Sequence, residues 1–373
     1  MSLNYRRGEI DGKKILFSVS VLIPLTGFKT IDDTIESVVR QGCSECEILI
    51  LRNDIKSLPQ GTDVAEKNVS YLDSDYLLRE IFIRKKGKGN ALNEGILRAK
   101  NNLVCVLDAD CILKENALSQ AVRHFENEDV VAVGGRLVVI NENSSALERI
   151  QCCEYMKTFQ TARRIFAKLN AQCLISGAFG VFRKSSLLEM GGYDTDTVGE
   201  DMELVLRLQD GGYHKSGNQI VYDPTAVCYT RVPHSLKRLL HQRDRWQRGL
   251  MDCLIKHQNM IANPRYGMLG LAAMSYQLVV ELLGPIFWGV YACLLMWEKS
   301  SPFLSMVFVG YVMAQFGLTV ISAHIDVDKN MRRLLKWLPK LILTTIEEML
   351  LQILINVARS IGMITFYWRR LVW

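Results

Sequence analysis

Four short stretches hold side chains able to act on a phosphorylated ligand. Asp108-Ala109-Asp110 follows the apolar run Leu103–Leu107. Two carboxylates two residues apart at a strand end can share a hard cation, Mg2+ or Mn2+, with the oxygens of a diphosphate. Such an ion neutralises charge that develops on a leaving nucleotide. By itself an Asp-x-Asp pair is as readily a solvated turn. The second stretch, Lys86-Gly87-Lys88-Gly89-Asn90-Ala91-Leu92-Asn93, leads into a helix. Its glycines let backbone approach a ligand, and a helix start offers N–H groups to phosphate or base; an ordinary basic turn has the same composition. Third, Gly199-Glu200-Asp201 opens the helical run Met202–Gly212. An acid there is either a cap that complements the helix dipole or a base that takes a proton from a hydroxyl. The dipole lowers the pKa of such a base, so apolar surroundings or the acceptor must oppose it. Fourth, Gln242-Arg243-Asp244-Arg245-Trp246 offers arginine forks for a diphosphate and a tryptophan face for a sugar ring. It lies in the basic, partly amphipathic segment Ser235–His257, which would serve equally as a peripheral membrane helix with an interfacial tryptophan.

The elements that must hold these groups read as alternating strands and helices. Ile15–Pro24 is almost wholly apolar, as a strand buried on both faces should be. Ile31–Gln41 has helical spacing and is stopped by Gly42. Glu47–Leu51 and Glu80–Ile83 are expected strands, a helix is expected from about Ala91 to Lys100, and Leu103–Leu107 is a strand ending at Asp108. Alternation of this kind predicts a parallel α/β sheet with ligands at the carboxyl ends of its strands.

Beyond Gly267 the pattern changes. Gly267–Trp297 carries only Glu281 as a charge, and Phe303–Ile325 has no acidic or basic residue except His324. Both are long enough to cross a hydrocarbon core of about 30 Å. Leu338–Trp368 is a third apolar stretch, interrupted by Lys340, Glu347, Glu348 and Arg359, and reads as a span, a hairpin or an interfacial segment. Arg238, Arg243, Arg245, Arg248 and Lys256 precede the first stretch, and Lys329, Arg332, Arg333 and Lys336 follow the second. That bias puts the first part of the chain and the second loop on the cytoplasmic side. The polar segment Met1–Lys14 is not expected to be a secretory signal.

Across 373 residues the formal charge is only +6. The basic clusters suit a membrane surface or phosphate better than nucleic acid, whose phosphates the cleft acids would repel. Ten cysteines include one lone Cys43-x-x-Cys46 pair, so neither a zinc site nor a disulfide framework is expected, and a reduced cytoplasmic first half is.

In this order the four stretches resemble those of the processive-type family 2 glycosyltransferases, among them cellulose, hyaluronan and poly-N-acetylglucosamine synthases. The resemblance runs from Ile15 to about His257 and on into the membrane segments. It implies an α/β GT-A (Rossmann-like) catalytic domain at 1–232, amphipathic interface helices at 233–266 and a membrane domain of two or three spans at 267–373. It also implies inverting transfer of a hexose or N-acetylhexosamine from a UDP-sugar to a growing β-linked glycan, with Mg2+ or Mn2+, in a multi-pass plasma-membrane protein whose catalytic domain is cytoplasmic. By this resemblance Asp108 and Asp110 match the donor and metal aspartates, and Lys88 and Asn93 the donor segment. Asp201 matches the catalytic base, and Gln242, Arg243, Arg245 and Trp246 the QxxRW motif, Trp246 facing the acceptor. Ser176 and Gly177, with Ala178, match the acceptor-side loop. Arg52-Asn53-Asp54 stands where the family has paired aspartates at the nucleobase, which makes Asp54 a donor-binding residue. Two further departures are Pro24-Leu25-Thr26-Gly27 for Pro-x-x-Asn-Glu, and Gly199 for the threonine before the base. Transfer of one sugar to a membrane lipid is the second enzyme reading; a catalytically silent membrane assembly subunit is the rival of another class. Expected partners are the UDP-sugar, a glycan or lipid-linked acceptor and membrane lipids, with no nucleic acid; no accessory subunit is identifiable.

Overall fold

The computed structural model describes residues 17–25, 31–43, 45–53, 62–69, 77–141, 145–215, 218–298, 301–326 and 331–369. In chain order the first elements are β1 (Ser18–Leu25), α1 (Asp32–Val39), β2 (Glu45–Arg52), β3 (Val64–Val69), β4 (Leu77–Ile83), α2 (Lys88–Arg98), β5 (Leu103–Leu107), β6 (Ile112–Leu113), α3 (Ala117–Val122) and β7 (Val130–Val139). Next come α4 (Ala146–Lys157), α5 (Arg163–Lys168), β8 (Phe179–Arg183), α6 (Lys184–Glu189), α7 (Glu200–Lys215) and β9 (Gln219–Thr230). The rest is helical: α8 (Leu236–Lys256), α9 (Gly284–Trp297), α10 (Pro302–Asp326) and α11 (Met331–Ile364), ending in the short α12 (Phe366–Arg369). They form two compact units. The first is Met1–Leu137, Gln172–Asp196 and Glu200–Arg231; the second is Val138–Ala171, Thr197–Gly199 and Val232–Trp373.

The first unit is built on a sheet of order β3-β4-β2-β1-β5-β8-β7-β9-β6. Its middle strands β4, β2, β1 and β5 are parallel, with Val21 beside Ile48 on one side and Cys105 on the other. The expected parallel sheet holds only there: β3 runs antiparallel to β4, β8 to β5 and β7, and β6 to β9. A parallel pair needs a crossover, as α1 supplies between β1 and β2, whereas β8 and β9 return antiparallel to their neighbours after long excursions of the chain. Val21, Leu22, Leu49, Leu51, Val104 and Leu107 are fully or almost fully buried, which is why β1, β2 and β5 read as continuous apolar runs rather than alternating ones.

Two local expectations are corrected here. Helix α2 begins at Lys88, not Ala91, because Gly87 caps it at φ 107°, a conformation that costs glycine little. And Cys43 and Cys46 are paired as a disulfide, their Cα atoms 5.6 Å apart, where no disulfide framework was expected. The other eight cysteines are free thiols.

In the second unit, α10 and the Trp337–Ile364 part of α11 are long and apolar enough to cross a membrane. The stretch expected as one span at Gly267–Trp297 is instead two helical pieces, Leu269–Leu282 and Gly284–Trp297, bent by 45°; it is a third span only if the bent pair is counted as one. Its first piece is wound in π turns, which widen the helix and bend it. The interrupted third stretch is one continuous helix as far as Ile364, followed by the short α12. Glu347 and Glu348 do not break it because Arg149 and Lys157 of α4 pair with them at 2.7 and 2.5 Å; carboxylates in an otherwise apolar helix need such partners. Phe303, Met306, Val309 and Met313 on α10, and Ile346, Leu350 and Ile353 on α11, remain exposed, as a lipid-facing surface requires.

Candidate functional site

The first unit brings several of the singled-out residues together at the carboxyl end of β5. Leu107 ends the strand, Cys111 N–H donates back to the Asp108 carbonyl at 3.0 Å, and Asp108-Ala109-Asp110 therefore lies on a tight turn. Thr34, in the first turns of α1, donates to the Ala109 carbonyl at 3.0 Å. The Asp108 amide donates to the Ala178 carbonyl at 3.2 Å, which fixes Ser176-Gly177-Ala178 beside the two acids. Asp110 is exposed.

Lys88, at the first turn of α2, reaches across this turn. Its Nζ donates to Asp108 Oδ1 at 2.6 Å and to the Gly177 carbonyl at 3.1 Å. Burial works against the ammonium, yet the charges of Asp108, Glu200 and Asp201 more than offset it and hold the lysine above its ordinary pKa. Asp201 enters from the start of α7. Its Oδ2 accepts from the Gly177 N–H at 3.1 Å and its Oδ1 from Met202 N–H at 2.9 Å. One cation thus sits among three carboxylates, Asp108, Glu200 and Asp201. Tyr193 is buried near the same acids: burial, reinforced by Asp201, Glu200 and Asp108, pushes its phenol well up and keeps it protonated.

Not every singled-out residue faces this cluster. Asn93 spends its amide on the backbone of Tyr193, donating to the carbonyl at 2.8 Å and accepting from the N–H at 2.7 Å. That pairing clamps the loop before Tyr193 onto α2. Asn53 donates to the Gly87 carbonyl at 2.9 Å and so braces the turn that starts α2; Asp54 lies outside the described residues. Neither Glu200 as a neighbour of Lys88 nor Tyr193 was singled out for this place. Glu200 stands next to Asp201 in the chain, but Tyr193 follows an unremarkable Gly191-Gly192 turn and carries no signal.

Gln242, Arg243, Arg245 and Trp246 lie on α8 in the second unit. Arg243 is buried and donates to Glu154 Oε2 of α4 at 2.6 Å, while Trp246 is half-exposed and Arg245 partly so. The Gln242 side-chain carbonyl is buried with no hydrogen-bond partner, an arrangement that costs stability unless a ligand or water meets it. The backbone of Gly199 touches α8 directly. A Cβ on Gly199 would lie 2.9 Å from the Gly249 carbonyl oxygen, so a side chain at position 199 has no room in this chain.

Among the described residues no group of three or more His, Cys, Asp or Glu converges to hold a metal. Asp108 and Asp110 supply hard carboxylate oxygens at the end of β5, and Asp108 already faces a cation in Lys88. This donor set fits a divalent ion whose remaining ligands come from a diphosphate or water. Cys105 and Cys228 offer no thiolate, because burial pushes their thiols up.

A family model described as glycosyl transferase family group 2 matches residues 103–321. Poly-beta-1,6-N-acetyl-D-glucosamine synthase of Staphylococcus aureus (strain COL) is 32% identical over 229 residues, 61% of this chain and 53% of that protein. The synthase of the same name from Staphylococcus epidermidis is 33% identical over the same length, with the same shares. The chain spans about half the length of the curated relatives it matches. Among solved structures, the mannosyltransferase PcManGT from Pyrobaculum calidifontis, in complex with GDP-Man and Mn2+, aligns with a TM-score of 0.61 over 94% of this chain and 87% of that one, at 16% identity. That likeness is one of fold, and it supports the GT-A architecture. The family match begins at β5 and ends within α10, taking in Asp108, Gly177, Asp201 and Trp246, and on it the chain is a member of glycosyl transferase family group 2.

Proposed function

We propose that the protein is an inverting, membrane-bound glycosyltransferase that moves a hexose or N-acetylhexosamine from a UDP-sugar to a growing β-linked glycan. The observation that carries this reading is the convergence of Asp108, Lys88, Gly177 and Asp201 in the first unit, two carboxylates separated by one ammonium and one peptide. Asp201 is the base: it takes the proton of the acceptor hydroxyl, whose oxygen then forms a bond to the anomeric carbon as the UDP oxygen leaves from the opposite face. General-base help of this kind contributes roughly 10²–10⁴ in rate. Lys88 leaves Asp108 to meet the donor phosphates, and Ser176 and Gly177 border the acceptor. Asp108 and Asp110 would hold Mg2+ or Mn2+, which, when bound, neutralises charge on the departing diphosphate.

The assignments on α8 are proposals of the same kind: Gln242, Arg243 and Arg245 toward the donor, Trp246 toward the acceptor sugar. Asp54 is assigned to the nucleobase, and Asn93 serves the donor side through its hold on the Tyr193 backbone. Residues 1–232 are assigned to the catalytic domain, of which Val138–Ala171 and Thr197–Gly199 pack in the second unit, 233–266 to the interface segment and 267–373 to the membrane domain, with the catalytic domain cytoplasmic in a multi-pass plasma-membrane protein. The two apolar helices α10 and α11 support the membrane placement. UDP-sugars offered one at a time to the full chain in nanodiscs, with UDP release and product mass measured together, test this reading. Expected are UDP release with one donor class and a ladder of products. No UDP release from any donor defeats it, and a single added sugar on every acceptor favours the lipid-acceptor reading.

A further inference from the structure

Resting on the glycosyl-transfer reading above, we propose that Gly177 is a positioning residue: its carbonyl holds the Lys88 ammonium and its N–H holds the Asp201 carboxylate, so one residue sets the donor-side cation against the acceptor-side base. The two contacts are 3.1 Å each. They leave from opposite ends of the same residue, and that residue is itself anchored. The Ala178 carbonyl accepts from the Asp108 amide at 3.2 Å, and Phe179 N–H closes the turn onto the Ser176 carbonyl at 3.1 Å. With Ser176–Phe179 pinned to the end of β5, Gly177 offers a fixed acceptor and a fixed donor rather than a mobile loop. Lys88 also reaches Asp108 at 2.6 Å, so Asp108, Lys88, Gly177 and Asp201 form one connected chain from the donor acid to the base.

The lack of a side chain at position 177 is part of this device. A Cβ there would lie 2.9 Å from Lys88 Nζ and 3.6 Å from Asp201 Oδ2. The nearer atom is the far end of a flexible side chain, so an added methyl displaces the ammonium and spares the backbone. Gly177→Ala is therefore a selective perturbation of the link. Losing the link degrades attack by a hydroxyl that must be aligned with Asp201 more than it degrades donor binding. It also favours hydrolysis, in which water adds to the anomeric carbon in place of the acceptor and the same UDP leaves.

The experiment uses the full chain in detergent with its working UDP-sugar, and measures UDP affinity by calorimetry, sugar transfer, and UDP released without transfer. For Gly177→Ala we expect transfer to fall about tenfold or more, by a clearly larger factor than UDP affinity, and the hydrolytic share to rise severalfold. Double-mutant cycles isolate the link, because residues joined in one network are non-additive. Adding Gly177→Ala to Lys88→Met, or to Asp201→Asn, should cost little beyond the single variant. Should Gly177→Ala fail to fold, the Lys88→Met with Asp201→Asn cycle asks the same question and should also be non-additive. Additive losses at either end, or unchanged transfer and hydrolytic share in Gly177→Ala, overturn the role of Gly177 while leaving the transferase reading intact. A wild type that releases no UDP from any UDP-sugar removes that reading and this role with it.

Discussion

The Arg243 guanidinium carbon lies 4.5 Å from the centre of the Trp246 ring, and the same guanidinium donates to Glu154 at 2.6 Å. Three residues apart on one helix, the two side chains are neighbours by helical geometry. Glu154 then holds the arginine over the indole ring. A cation over a tryptophan face contributes about 0.5–1 kcal/mol at an exposed site and more when desolvated.

Trp246→Ala removes that stacked surface while Glu154 still holds Arg243. We expect shorter products, by severalfold in mean length, with donor affinity changed less than about twofold. Product size on gels or by mass spectrometry, beside the Kd for UDP, measures both. Unaltered product length would show that the indole does not meet the acceptor.

Asp201→Asn keeps the hydrogen bond from Gly177 N–H but cannot take a proton. Transfer should fall by about 100-fold or more, and UDP affinity should stay within about threefold. A loss of UDP affinity as large as the loss of rate would place Asp201 on the donor side instead.

Asp110→Ala should remove the dependence of UDP-sugar binding on Mn2+ or Mg2+, and chelation of the wild type should mimic the variant. Titration calorimetry with and without the ion reads this directly. Full transfer activity in excess EDTA would rule out the metal assignment.

Away from the site, buried Asp223 accepts from Thr225 Oγ1 at 2.6 Å and lies 2.8 Å from His124 Nε2 and 3.1 Å from Arg123 Nη2. Burial alone would raise this carboxyl, but His124 and Thr225 outweigh it and lower its pKa from 3.8 to about 2. A depressed carboxylate contributes stability that is complete above its unfolded value and is lost as pH falls through the folded one. The contribution, about 2 kcal/mol at neutral pH, should therefore vanish between about pH 4 and pH 2. Asp223→Asn should lower the thermal midpoint at pH 7, and its gap to wild type should narrow across that acid window. A gap that does not change with pH would show that the loss is one of packing.

Position along the chain sufficed for some of this architecture. A five-residue apolar strand running into Asp108 announces an acid at a sheet edge, because burial on both faces of β5 leaves no polar residue until the strand ends. The long apolar stretches announce α10 and α11 in the same way, since length and composition alone decide whether a helix can cross a bilayer. What needed the tertiary structure was every relationship between residues far apart in sequence. Asn93 reads from its motif as a donor-side residue, and only the fold shows that its amide pairs with the Tyr193 backbone, 100 residues away. Glu347 and Glu348 looked like interruptions until Arg149 and Lys157 were seen to neutralise them. Lys88 and Asp201 were separate motifs until Gly177 bridged them. Local patterns are set by what each segment must bury, whereas the partner of a polar group is chosen by whichever distant segment the fold delivers to it, and that choice leaves no mark on spacing.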